Sequence, residues 1–241
     1  MAAEVYERAR PPYPDEALDV LQGELGLGPS STVVELGAGT GKLSRMLARR
    51  VGLLVAAEPV ESMRAQLSRA VRTPVVAAAA EAVPLASGCV DAAVAATAFH
   101  WFRGEAALAE IRRALRPGGG LGLVWNNTDR SCDWVAEIWA IVEQHRGPTP
   151  GNRDLGWQQA FHTTSGFTPL GHRRLRHRVW LSPEELVFRV ASISFIAALA
   201  PIEREIVLSR VRDVAARHPR LTGRARVELP YCTDVYWCHS L

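Results

Sequence analysis

An α/β fold, with a mostly parallel sheet and helices on both faces, is the architecture that this 241-residue sequence predicts. Three observations carry that expectation. Apolar runs of strand length alternate with helical stretches through the first half of the chain, as in consecutive βα units. A glycine-rich turn, Gly37-Ala-Gly-Thr-Gly41, lies where the first strand gives way to the first helix of that series. An acidic residue, Glu58, closes the next strand.

Taken in order, Thr32–Leu36 reads as a buried strand and 41–51 as a helix. Leu53–Ala57 is a second strand, followed by a helix over 60–70 and a short third strand around 74–77. The fourth strand spans 90–97, after the turn Ser87-Gly88. A helix over 104–115 stops at the breaker Arg116-Pro-Gly-Gly-Gly120, and the fifth strand is 121–125. Beyond Trp125 an amphipathic helix fits 133–144, then the Pro/Gly link 147–151, a short helix near 154–163 and a strand over 172–180. Ser182-Pro-Glu-Glu185 combines a capping serine, a first-turn proline and early carboxylates, which marks a helix start. Helix continues to about 217 with a break near Pro201. The alternation Val227, Leu229, Tyr231, Thr233, Val235, Trp237 reads as a last strand. The expected organisation is one domain: 1–31 as an N-terminal lid and first helix, 32–125 as the ligand-binding core, 126–225 as a helical insertion with a strand and C-terminal helices, and 226–241 as the final strand.

Hydrophobic residues make up 48% and charged residues 22% of the chain, which excludes disordered and collagen-like classes. The formal net charge of +3 is too small to imply a nucleic-acid or membrane partner. Cys89, Cys132, Cys232 and Cys238 show neither a C-x-x-C pair nor zinc-ligand spacing, so no metal is expected. The N-terminal residues lack a signal-peptide core and no stretch is apolar enough to span a bilayer, so a cytoplasmic protein with reduced thiols is expected.

The glycine turn carries the chemistry. Its glycines permit a tight bend and close approach of a ligand to the backbone, and a helix N-terminus offers free N–H groups. A dinucleotide fingerprint, G-x-G-x-x-G, would need its third glycine at position 42, which is Lys42. Glu35, two residues before the first glycine, would repel a pyrophosphate and suit a cationic ligand. Glu58, at a strand's C-terminal end, has the two acceptor oxygens that ribose hydroxyls need.

At this point the chain resembles the class I S-adenosylmethionine-dependent methyltransferases, in Glu35-Leu-Gly-Ala-Gly-Thr-Gly41, Glu58, Ala80-Glu-Ala-Val-Pro84 with Asp91, and Leu115-Arg-Pro-Gly-Gly119. These motifs cover roughly 33–125, in the family's order and spacing. Tyr6-Glu-Arg-Ala-Arg-Pro-Pro-Tyr-Pro14, Ala98-Phe-His-Trp-Phe102, Val124-Trp-Asn126 and Val235-Tyr-Trp-Cys238 are similar to a small-molecule subgroup that includes the trans-aconitate methyltransferases. The resemblance implies a Rossmann-like fold with a seven-stranded sheet and S-adenosylmethionine as methyl donor. It implies that Gly37, Ala38, Gly39 and Gly41 line the methionine and ribose portions and that Glu58, followed by Pro59, holds the ribose. Ala80 and Glu81 would border the adenine. Many relatives place Asp just before that pair; here the position is Ala79, which leaves stacking and backbone contacts to hold the ring.

On the acceptor side, ligands of open α/β sheets sit beyond the carboxyl ends of the strands. The segment from Thr97 through Phe99, His100 and Trp101 to Phe102 follows strand four and should face the donor's sulfonium. His100 is a candidate general base, or alternatively a pocket-lining group. Asn126, after strand five, is a candidate acceptor ligand or a turn residue. Tyr6, Arg10 and Tyr13 lie on the proline-rich N-terminal segment that the resemblance implies to be a lid, with Arg10 a candidate partner for an acceptor carboxylate. Trp134, Trp139 and Trp157 fit an acceptor pocket or core packing equally. The basic cluster Arg173–Arg178 is expected to split between the two faces of a strand, which disfavours a phosphate-binding stripe.

The expected function is methyl transfer to a small organic acceptor, at an oxygen of a carboxylate or hydroxyl, by a monomer or weak homodimer without a nucleic-acid or membrane partner. An RNA or protein methyltransferase is one alternative. A scaffold that binds the donor without methyl transfer is another. A dinucleotide oxidoreductase is a third, which Lys42 opposes.

Overall fold

The computed structural model describes Glu7, residues 9–153 and residues 155–241. Its frame is a seven-stranded sheet of order β3-β2-β1-β4-β5-β7-β6. The strands are β1 (Thr32–Leu36), β2 (Leu53–Ala57), β3 (Val75–Val76), β4 (Val90–Ala96), β5 (Leu115–Thr128), β6 (Gly171–Leu181) and β7 (Val227–His239). Pairs β1–β2, β1–β4, β2–β3 and β4–β5 are parallel. This is the expected doubly wound α/β arrangement. The helices are α1 (Asp15–Leu25), α2 (Ser44–Leu47), α3 (Glu61–Ala70), α4 (Gly104–Ala114), α5 (Asp133–Glu143), α6 (Gln159–Thr163), α7 (Pro183–Ala191), α8 (Ser194–Ala197) and α9 (Pro201–Arg217).

The chain divides into two compact units. One holds Pro12–Asn126, Pro150–Leu175 and Thr233–Leu241; the other holds the described residues up to Pro11, Asn127–Thr149 and Arg176–Cys232. In the first, the continuous runs Val33-Val34-Glu35-Leu36 and Leu54–Ala57 are buried on both faces, as central parallel strands require. Their core takes in Leu108, Ile111, Leu121, Leu123 and Trp125, with a second cluster under α1 formed by Leu18, Leu21 and Val124. In the second, α5, α7 and α9 pack through Trp134, Ile138, Leu186, Val190, Val207 and Val211.

Several local expectations hold to the residue. Ser182 caps α7 in a reciprocal box: its Oγ accepts from Glu185 N–H at 3.2 Å, and Glu185 Oε2 accepts from Ser182 N–H at 2.7 Å, with Pro183 in the first turn. Others are corrected. The helix expected over 41–51 shrinks to α2, because the turns on either side close by bonds spanning three residues, such as Arg50 N–H to the Leu47 carbonyl. The breaker 116–120 ends α4 at Ala114 as expected, but β5 begins at Leu115 rather than at 121 and takes the breaker in. Val90 pairs with Leu115 and Ala92 with Gly120, so the Pro-Gly segment loops out as a bulge with Gly118 at φ +75°. The helix expected from 154 begins as a 3-10 turn, Gly156–Gln158, before α6. No helix among the described residues is long and apolar enough to cross a membrane.

The basic cluster splits as a strand requires: on edge strand β6, a period of two puts Arg174, Arg176 and Arg178 on one exposed face and Arg173 and His177 on the other. Acids of β7 answer them: Asp234 Oδ1 lies 2.7 Å from Arg174 Nε, and Glu228 Oε1 lies 2.9 Å from Arg178 Nη1.

Candidate active site

The glycine turn leaves β1 through three positive-φ residues, Gly37 at +65°, Gly39 at +59° and Gly41 at +88°. Each has a different reason to lack a side chain. A Cβ on Gly37 would stand 2.8 Å from the Ala98 Cβ, and one on Gly41 would stand 2.8 Å from a Leu67 methyl. A Cβ on Gly39 would meet nothing within 4 Å, so its backbone faces open space that a ligand can enter. The loop is tied to β2 by the Ala38 N–H bond to the Ala57 carbonyl, 3.1 Å.

Glu58, at the end of β2, is buried, and both its oxygens accept backbone hydrogen bonds. Oε2 takes the Gly39 N–H at 2.8 Å and Oε1 the Val60 N–H at 2.9 Å. The carboxylate thus anchors the central glycine of the turn, and each oxygen keeps a further lone pair for a ligand. Pro59, next in the chain, is exposed.

Glu35 departs from the sequence expectation of an ionised group. Its side chain is 1% exposed, and Oε2 accepts from Ser44 Oγ at 2.5 Å. Burial pushes its pKa up to about 8; the nearby Glu58 carboxylate adds to the rise, while Ser44 and Arg45 oppose it. At neutral pH the carboxyl therefore carries a proton. Spacing alone gave no signal of Ser44 as its partner.

Ala80 is buried, Ala79 is exposed, and Glu81 Oε1 accepts the Arg103 N–H at 2.7 Å, at the start of α4. Thr97, just past β4, is held at φ +53°, a left-handed conformation unfavourable for a β-branched residue. Its N–H bonds the Val124 carbonyl at 2.7 Å, and its Oγ1 pairs with the Tyr13 hydroxyl at 2.9 Å. Tyr13 therefore reaches the end of β4. Tyr6 lies outside the described residues, and Arg10, half-buried, belongs to the helical unit.

His100 sits in the 3-10 turn Phe99–Trp101, and its Nδ1 accepts the indole N–H of Trp125 at 3.1 Å. An indole nitrogen only donates, so Nδ1 presents its lone pair and the neutral ring carries its hydrogen on Nε2. In that tautomer Nε2 carries the hydrogen, so it can act as a donor and has no lone pair with which to take a proton. Trp101 is half-exposed, while Phe99 is buried. Around Trp125 an aromatic cluster forms: Trp157 at 4.5 Å between ring centroids, Tyr236 at 5.7 Å, and Phe99 edge-on to Trp157 at 6.1 Å. Trp134 instead packs in the helical unit's core, where Trp139 donates to Thr128 Oγ1 at 2.6 Å.

Asn126 spends its amide internally. Nδ2 donates to the Pro12 carbonyl at 3.2 Å and Oδ1 accepts from Thr233 Oγ1 at 3.0 Å, so it joins the N-terminal segment to β7. The sequence offered Trp157 for either an acceptor pocket or core packing and missed Trp125 and Tyr236 as members of the site region, because aromatic residues within strands read equally well as core.

Comparison with known proteins places this arrangement. A methyltransferase-domain family model matches residues 34–123. An uncharacterized methyltransferase of Mycobacterium tuberculosis is 36% identical over 233 residues, covering 96% of this chain and 91% of the relative. An uncharacterized methyltransferase-like protein of Schizosaccharomyces pombe is 34% identical over 235 residues, with 96% and 91% covered. Among solved structures, a provisionally described type II methyltransferase from Anaeromyxobacter dehalogenans superposes with a TM-score of 0.73 at 23% identity, over 96% of this chain and 97% of that one. Geranyl diphosphate C-methyltransferase from Streptomyces coelicolor, solved with S-adenosyl-L-homocysteine, gives a TM-score of 0.50 at 16% identity, over 94% and 77%.

Proposed function

Because this chain belongs to the S-adenosylmethionine-dependent methyltransferases, we propose that it methylates a small organic acceptor at an oxygen, on a carboxylate or hydroxyl. The observation that carries the acceptor half is the Trp125–His100 hydrogen bond. It makes His100 a neutral donor through Nε2–H, suited to orienting an oxygen lone pair and unsuited to removing a proton. A carboxylate acceptor needs no base, so positioning can supply much of the acceleration. The likeness of Tyr6–Pro14 and Ala98–Phe102 to the trans-aconitate group supports an organic acid. Asp234 and Glu228, paired with the β6 arginines, weigh against an extended nucleic-acid surface on that strand.

The donor half rests on the open cradle at Gly39 and on Glu58 beside it. S-adenosylmethionine supplies an electrophilic methyl group on a sulfonium. Gly37, Ala38, Gly39 and Gly41 would hold its methionine and ribose portions, Glu58 would accept from the ribose hydroxyls, and Ala80 with Glu81 would border the adenine. The protonated Glu35 keeps the turn in place through Ser44. Phe99 and Trp125, each 1% exposed, form the packed apolar core behind the region beyond β4 and β5.

Calorimetric titration with S-adenosylhomocysteine tests the donor half. Glu58→Ala should bind at least about tenfold more weakly, since a hydrogen bond to a charged group is worth about 1.5–3 kcal/mol. Unchanged affinity would remove Glu58 from the site. A metabolite-extract screen that reads S-adenosylhomocysteine release tests the acceptor half; turnover with RNA or protein fractions alone would overturn it.

His100→Ala separates the two roles of the imidazole once an acceptor is in hand. The rate should fall by less than about tenfold with the shape of the pH–rate profile retained. A loss of about 10²–10⁴, together with disappearance of an ascending limb, would identify a general base instead.

A further inference from the structure

The helical unit holds a cavity of about 530 Å³ whose lining residues all belong to that unit. Its wall is basic: Arg178, Arg220, Arg224 and Arg226 stand against two carboxylates, Asp129 and Glu228. Both carboxylates are engaged within the wall. Glu228 pairs with Arg178, and Asp129 accepts from the N–H of Ser131 at 3.0 Å and from its Oγ at 2.7 Å. Those two bonds, with a smaller contribution from Arg176, hold the Asp129 carboxyl below the usual carboxylate range.

The remaining positive charge falls on three arginines within seven residues, in the loop from α9 to β7. Arg220 lies 3.5 Å from the exposed Asp133, and Arg226 spends one N–H on the Trp180 carbonyl at 2.8 Å. Arg224 is exposed and makes no side-chain hydrogen bond or ion pair among the described residues. Trp180, on the same wall, is 54% exposed, while Trp134, Leu221 and Val227 line the cavity from the buried side. The volume is within the range of small-molecule sites, about 300–1,000 Å³. Guanidinium forks recognise phosphate oxygens in pairs, and an exposed indole stacks on planar groups.

We infer that this cavity is a second ligand site, for an organic phosphate of nucleotide size whose phosphates lie on Arg220, Arg224 and Arg226 and whose planar group lies on Trp180. Three guanidinium groups lining one cavity favour a di- or triphosphate over a monocarboxylate, because each fork needs its own pair of oxygens. The two carboxylates within the wall, Asp129 and Glu228, interrupt its positive charge, which favours a small molecule over a nucleic-acid strand.

Calorimetry on the full chain at about 150 mM salt tests this with ADP, inorganic pyrophosphate, sulfate at matched ionic strength and a short single-stranded RNA as probes. ADP should bind, and Arg220→Ala/Arg224→Ala should weaken it at least about tenfold, the fold-change expected from losing one charge-assisted contact or more. Because both arginines are exposed, the double variant should keep its thermal midpoint and its affinity for S-adenosylhomocysteine. Trp180→Leu should weaken ADP and leave pyrophosphate unchanged, which separates a nucleotide from free phosphate. No ADP binding by the folded wild type, equal competition by sulfate, an undiminished affinity in the double variant, or tighter binding of RNA than of ADP would each overturn the proposal.

Discussion

Glu35→Gln should be more stable than the wild-type protein from about pH 5 upward, with the difference growing until pH 8. The folded protein binds a proton on Glu35 with a pKa of about 8, whereas the unfolded chain releases it at the ordinary glutamate value of 4.5. Between those values the native state holds one more proton than the unfolded state, so wild-type stability falls as pH rises, by about 1.4 kcal/mol per pH unit. Below the lower value both states are protonated and the contribution is complete; above the higher value it has been lost. Glutamine has the shape of the protonated acid, never ionises, and its carbonyl still accepts from Ser44. Across the window the gain is on the order of 4 kcal/mol. Urea melts at pH 5, 6, 7 and 8 measure it. Parallel pH dependences in variant and wild type would show that Glu35 ionises as it does in the unfolded chain.

Gly37→Ala and Gly39→Ala should fail in different ways, although both residues sit at nearly the same positive φ. An alanine at either position pays about 1–2 kcal/mol for the left-handed conformation. At position 37 the new Cβ also meets Ala98 at 2.8 Å and Phe102 Cζ at 3.4 Å. Both Cβ atoms at that contact are held directly by backbone, so relief requires moving the end of β1 or the segment after β4, at a further cost of about 1–3 kcal/mol. Gly37→Ala should therefore lower the thermal midpoint clearly and lose S-adenosylhomocysteine binding with it. At position 39 the methyl enters open space, so the loss of stability stays near the conformational cost. The same methyl fills the volume proposed for the donor, and affinity should fall at least about a hundredfold, as a steric block beside a buried ligand does. Thermal melts with and without S-adenosylhomocysteine distinguish the two. A Gly39→Ala protein that binds as the wild type does would remove that residue from the cradle.

Much of the frame was legible in the chain because it follows from local rules. Strands Thr32–Leu36 and Leu53–Ala57 were readable to the residue as continuous apolar runs, and the α7 cap as a serine, a proline and two carboxylates in sequence. The turn between β1 and α2 declared itself because only glycine takes three positive φ angles in five residues without strain. The spacing from Gly37 to Glu58 placed a carboxylate beside that turn, and Gly39 N–H does meet it. The breaker at 116–120 does end the helix over 104–114, but that the Pro-Gly segment then bulges out of a strand is decided only by the pairing of Val90 and Ala92.

What the sequence determined by itself, then, is the succession of the first strands along the chain and the backbone shape of the turn before α2, set by periodicity and by glycine. The tertiary structure decided the chemical state of the groups placed there. Glu35 is protonated because folding strips it of water, a cost that no local pattern records. His100 is a donor because Trp125, 25 residues away in the chain, offers it an N–H. The β6 arginines are paired because β7 lies next to β6 in the sheet and carries Asp234 and Glu228. Protonation, tautomer and charge pairing depend on the distance to a partner and on the exclusion of solvent, and folding alone sets both.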